Sequence, residues 1–151
     1  MDAFEDKLGD VFTAFGRGRI AVLSTSEGGR VSSRMMSVVL IDGEFYFQTD
    51  RTMRKYRQLC ADPNAALCAD NIQIEGTCRE LGHPAGHPEF CEAFKSSFRG
   101  SFDAYTNLSN ERLFALTPVY IKRWLYIDGK PYTETFDIPG RVYELKAYIS
   151  V

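Results

Sequence analysis

No apolar run in this chain approaches the ~20 residues that cross a bilayer as a helix, so membrane spanning is not an expected role. Basic excess is also missing: 18 Lys and Arg stand against 20 Asp and Glu, for a formal charge of −2. General binders of nucleic acid or anionic lipid surfaces carry the opposite balance, and neither partner is expected here. Cysteine is scarce and unpatterned. Cys60, Cys68, Cys78 and Cys91 include no C-x-x-C pair, and they read as reduced thiols rather than a disulfide framework. The first residues, Met1 to Lys7, lack the basic and apolar regions of a signal peptide, and a cytoplasmic protein is the expectation. Familiar catalytic signatures are absent too. There is no G-x-S-x-G, Walker A or G-x-G-x-x-G motif. Gly16-Arg-Gly18 lacks a third glycine and precedes a strand instead of following one. Two clustered histidines give no basis for a Ser-His-Asp assignment.

What remains is an ordinary globular composition. The apolar fraction is 44%, ample for a core, and 151 residues suit one domain over positions 1–151. Phe4, Leu8, Val11, Phe12 and Phe15 recur at helical spacing over residues 3–16, where Gly16 and Gly18 stop the helix. Strands are expected at 19–26, 31–41 and 45–49, joined by turns at Glu27-Gly28-Gly29 and Asp42-Gly43. After a helix closed by Asp62-Pro63, strands follow at 65–69 and 72–81. A helix over 89–98 aligns Phe90, Phe94 and Phe98 roughly on one face, and 101–110 reads as loop. Strands at 119–127 and 141–151, with a turn at Asp128-Gly129, complete the pattern. Six or seven short strands with tight turns predict a mainly β fold, an antiparallel barrel with its helices outside.

The most telling stretch is 44–59, where an aromatic strand runs through a polar turn into a basic helix. A helix N-terminus combines unpaired N–H groups with the positive end of the dipole. With Arg51, Arg54 and Lys55 there, it suits a phosphate. Alone, such a charge run also fits a solvated helix face.

Several ordered segments resemble the pyridoxamine 5′-phosphate oxidase-like family, the FMN-binding split barrels. They are Arg34-Met35-Met36-Ser37-Val38, Phe47-Gln48-Thr49-Asp50, the Arg54-Lys55 pair, Asp62-Pro63 and Ile74-Glu75-Gly76. The resemblance covers roughly residues 17–127. It implies a six- to seven-stranded split β-barrel of the FMN-binding type and a homodimer with FMN at the subunit interface. It implies that Arg34, Arg54 and Lys55 contact the FMN phosphate. Met35, Met36 and Ser37 would lie along the isoalloxazine, and Gln48 and Thr49 would contact the flavin. Asn71 falls where the family has a flavin-contacting glutamine. Trp124, six residues after Pro118, resembles a tryptophan that reaches the cofactor from the second subunit. Adjacent strand residues point to opposite sides, so only one of Met35 and Met36 can turn its side chain to the ring. Asn71 also fits a plain turn residue, and Trp124 a packing aromatic.

Two positions depart from the true oxidases. Val39 stands where they have a substrate-phosphate lysine, and residues 125–132 replace an R-L-H-D-R-like run. The segment between Pro63 and Gly76 is also shortened. The resemblance therefore implies a flavin-dependent oxidoreductase with another small-molecule electron donor or acceptor. A carrier or sensor of flavin or haem without turnover is the alternative. Separately, Cys78, His83, His87 and Cys91 are zinc-compatible in type, although Pro84 and Pro88 fit a loop leading into a helix.

Overall fold

Two-residue turns organise the sheet. Asp42-Gly43 and Asp128-Gly129 have positive φ at both positions, 49° and 78° in the first and 52° and 76° in the second. Such turns twist in the same sense as the strands they join, and glycine meets their second position without strain. The computed structural model describes residues 2–150. Its elements are α1 (Ala3–Phe15), β1 (Gly18–Glu27), β2 (Arg30–Ile41), β3 (Glu44–Asp50), α2 (Arg54–Ala61), β4 (Asn64–Ala69), β5 (Ile72–Glu80), α3 (Pro88–Ser97), β6 (Glu111–Ile127), β7 (Lys130–Asp137) and β8 (Val142–Ala147). Among the described residues, no helix is long and apolar enough to cross a membrane.

The strands run in the order β3-β2-β1-β4-β5-β6-β7-β8, and β3 also pairs with β6. Six strands therefore close into an antiparallel barrel, and β7 and β8 extend from it. One edge of β6 serves both parts. Its first half pairs with β3, from Asp50↔Glu111 to Phe45↔Leu116. Its second half pairs with β7, from Tyr120↔Asp137 to Ile127↔Lys130. The opposite edge pairs with β5, with a register shift between Glu75 and Gly76. A bulge of this kind bends the strand and raises its twist, which lets β6 leave the barrel halfway along.

Leu23, Val38, Phe45, Phe47, Leu67, Ile74 and Ile121 fill the core, and α1 adds Phe4, Leu8, Val11 and Phe15. Phe15 meets Phe45 edge-to-face at 4.9 Å between centroids. A second cluster lies on the outer face of β2, β3 and β6, where Phe90 and Phe94 of α3 cover Val39 and Leu113. This cover buries both faces of β6 over Leu113–Leu116.

The expected strands agree with β1–β5 to within a residue or so. Four segments differ. Strand β6 begins at Glu111, ahead of the expected 119, because its first half is buried on both faces and shows no alternation. Residues 130–137 form β7, although Pro131 marks against a strand; Pro131 sits near its start. Residues 99–106, expected in part as loop, form a short helical turn followed by a π-helical turn at Phe102–Thr106. The last strand ends at Ala147, and Val151, its expected end, lies outside the described residues.

Gly76 permits the bend. A Cβ there would lie 2.4 Å from the Thr117 carbonyl oxygen and 2.5 Å from Leu116 Cδ2. The backbone oxygen cannot retreat without breaking the pairing. Gly76→Ala is expected to destabilise the protein by about 2 kcal/mol or more. Urea unfolding checks this, and an unchanged midpoint would contradict it.

Candidate functional site

The site begins where β3 becomes α2. Asp50 Oδ1 accepts hydrogen bonds from the Thr52 backbone N–H and hydroxyl, both at 2.7 Å, and this turns the chain. Helix α2 then starts with Met53 as its cap residue, without a side-chain capping bond and without an acidic residue in its first turn. Its leading N–H groups and dipole therefore meet no built-in anion.

Arg34 approaches from β2. Its Nη1 donates to the Leu23 carbonyl at 3.1 Å and to Thr25 Oγ1 at 2.8 Å. Its Nη2 donates to Gln58 Oε1 at 3.2 Å. Gln58 is buried in α2 and also accepts from Thr25 Oγ1 at 2.7 Å. Arg34 is thus anchored by neutral acceptors and keeps its charge uncompensated. Burial, and then the Arg54 charge, holds its guanidinium below the ordinary value. Burial, and then Arg34, likewise lowers the half-buried Lys55 ammonium. Lys55 donates to Met53 Sδ at 3.3 Å, a weak acceptor. Three cations are therefore gathered closely enough to repel one another, a local cost that a bound polyanion removes.

Beside them lies a cleft of about 200 Å³. Met35, Met36, Ser37, Gln48, Thr49 and Lys55 all line it, so six of the ten expected site residues converge on one cavity. Met35 is 72% exposed and Met36 is 9% exposed, as strand alternation requires. Gln48 Oε1 accepts from Thr106 Oγ1 at 3.1 Å, which ties the π-helical turn to β3 as the far wall. Arg34 and Arg54 do not line the cleft; Arg34 lies near both Arg54 and Lys55, and Lys55 does line it.

The remaining two expected residues lie elsewhere in the subunit. Asn71 occupies the β4–β5 turn, where its Nδ2 donates to the Trp124 carbonyl at 2.5 Å. Trp124, in the second half of β6, packs against Tyr148 at 5.2 Å. Neither lines the cleft of its own chain. Sequence reasoning missed Gln58, Tyr105 and Glu111. Gln58 looks like any polar helix residue, and Tyr105 and Glu111 fall in a stretch without periodicity. The Phe94 wall was visible as a helical aromatic stripe.

The zinc alternative fails on geometry. Among the described residues, no three His, Cys, Asp or Glu side chains gather as a metal site. His87 Nε2 bonds the Leu81 carbonyl at 2.7 Å. His83 accepts from the Ala85 N–H at Nδ1, 3.0 Å away, so its Nε2 carries the proton toward the Leu108 carbonyl at 2.8 Å. Burial pushes the Cys78 thiol up to about 12, away from the thiolate that metal binding needs.

Comparison with known proteins agrees with this architecture. The family model described as pyridoxamine 5′-phosphate oxidase matches residues 9–125. Among curated proteins, none matches the chain. An FMN-binding protein related to pyridoxamine 5′-phosphate oxidase from Nostoc punctiforme PCC 73102 superposes with a TM-score of 0.68 at 14% identity, over 99% of this chain and 98% of that one. An FAD-binding protein from Mesorhizobium loti gives 0.59 at 15% identity, over 80% of this chain and 92% of its own. The haem storage protein of Vibrio cholerae gives 0.61 at 14% identity, over 76% and 89% respectively. At these identities the structures share the fold.

Gln58→Leu keeps the volume but strands the Thr25 hydroxyl and one arm of Arg34. The expected loss is about 1–3 kcal/mol by urea unfolding, and a loss below about 0.5 kcal/mol would show that the anchor is dispensable.

Proposed function

The chain belongs to the pyridoxamine 5′-phosphate oxidase family, and from that premise we propose that it is a homodimeric FMN-binding oxidoreductase with the flavin in the cleft beside α2. The observation that carries this reading is the gathering of Arg34, Arg54 and Lys55 at the open start of α2.

The residues fit the group. FMN bears a phosphate dianion, and two guanidinium forks with one ammonium suit its oxygens. The ring system needs an apolar wall and a few fixed polar contacts. Met35 or Met36 supplies the first, and Ser37, Gln48 and Thr49 the second. When bound, the flavin supplies hydride or electron transfer. The chain's own groups hold the phosphate, orient the ring and limit water. None of these contacts requires a side-chain proton donor.

The dimer belongs to the same proposal. Val31 and Met35 on the outer face of β2 are 71% and 72% exposed, an unusual position for two apolar side chains. By the family resemblance, Trp124 of a second copy covering this face would reach the flavin. Pyridoxine phosphate is disfavoured as substrate, because Val39 replaces the oxidases' substrate-phosphate lysine and residues 125–132, with Lys130 as their one cation, replace the R-L-H-D-R-like run. The donor and acceptor are then other small molecules, met in the cytoplasm.

Replacing both Arg54 and Lys55 with Ala removes two charge-assisted contacts. FMN affinity is expected to fall by about 3 kcal/mol or more, over a hundredfold, with thermal stability nearly unchanged because Arg54 is exposed and Lys55 half-buried. Flavin fluorescence titration measures the first and a melting curve the second. A double variant that holds FMN as the parent does would contradict the assignment.

A further inference from the structure

Gln48 reaches the cleft from β3, and the helical cap beside it decides how its amide is turned. Thr106 closes the π-helical turn and is fully buried. Its hydroxyl donates to Gln48 Oε1 at 3.1 Å, a bond between residues 58 positions apart. A buried hydroxyl proton needs an acceptor within the protein. Were the amide reversed, Nε2 would donate to the hydroxyl and that proton would lose this acceptor. Burial of Thr106 therefore fixes the amide with its oxygen toward the cap.

The amide nitrogen is what remains. Gln48 is 8% exposed and lines the cleft with Ser37 and Thr49. Its nitrogen is not an orphan inside the protein: among the described residues, Arg19 Nε is the one buried side-chain nitrogen or oxygen without a hydrogen-bond partner. The open space beside Gln48 is the cleft, so its N–H groups are offered there. The cap that holds Thr106 also brings Phe94, Ser101 and Tyr105 to the cleft. One bond thus joins the turn of one wall to the donor on the other.

We infer that Thr106 is a positioning residue for the cofactor: its hydroxyl locks the Gln48 amide so that the N–H groups, and not the carbonyl oxygen, face the flavin ring. Reduction makes that ring more electron-rich, and an N–H donor against it favours the reduced state. An unlocked amide is free to turn its oxygen inward, which opposes reduction. The inference rests on the flavin reading for what the N–H groups meet; the locked amide belongs to the protein.

The test has a flavin-free arm and a loaded arm. Urea unfolding of the flavin-free protein compares Thr106→Val, Gln48→Leu and the double variant. Residues joined by one bond are not additive, so the double variant is expected to lose less stability than the two single losses together. Spectroelectrochemical titration then gives the midpoint potential of the FMN that each single variant retains. Thr106→Val and Gln48→Leu are each expected to hold reduced over oxidised flavin about tenfold less well, a fall of about 30 mV for a two-electron couple. Thr106→Ser keeps the hydroxyl and is expected to match the parent. Thr106→Ala stands in if the valine variant does not fold. Additive losses in urea, or a potential that rises in either variant, would overturn the inference. Retained FMN with an unmoved potential defeats this inference alone. A parent protein that retains no FMN defeats the cofactor reading and this inference together.

Discussion

Strand β6 belongs to two layers of structure at once, and the rest of the molecule is arranged around that constraint. Its first half closes the barrel against β3, and its second half carries β7 and β8. The change of partner needs a bend, and the bend needs a residue at position 76 with no side chain to strike the facing backbone. Closure has two consequences for function. It fixes Glu111 opposite Asp50 at the end of β3, and it fixes the exit of β3 into α2. The position of the cleft follows from this one junction.

The cationic end is an electrostatic compromise. Arg34 is held by a carbonyl, a hydroxyl and an amide oxygen, which orient the guanidinium without neutralising it. A carboxylate in place of Gln58 would stabilise Arg34 locally, but it would spend the positive potential that an anion needs. Gln58, buried on α2, holds one arm of Arg34 without neutralising it. The π-helical turn at 102–106, tied by Thr106 to Gln48, forms the opposite wall. Unusual helical geometry of this kind often accompanies a binding site.

How much of this could be read beforehand depended on local signals. The Gly28-Gly29 and Asp42-Gly43 turns separate strands β1 to β3, so most of their limits were legible. The first half of β6 was not, because Leu113, Phe114, Ala115 and Leu116 are all buried and a continuous apolar run has no period. The cations at 34, 54 and 55 were legible as a set through the family resemblance. Their mutual repulsion was not, since it arises from folding that brings β2 beside α2. Trp124 and Asn71 illustrate the other limit. The chain places them against each other at the far part of β6, away from the cleft. Glu111 had no signal at all, because its burial opposite Asp50 exists only once β3 and β6 pair.

The central claim is that the cation cluster is built for the phosphate of a flavin mononucleotide. It is tested most directly by comparing FMN with riboflavin, which has the same ring and ribityl chain but no phosphate. Fluorescence quenching on the purified protein gives both dissociation constants. The account predicts that FMN binds tighter by about a hundredfold or more, with the advantage shrinking as salt is added. Equal affinity for the two flavins, or retention of neither, would contradict it.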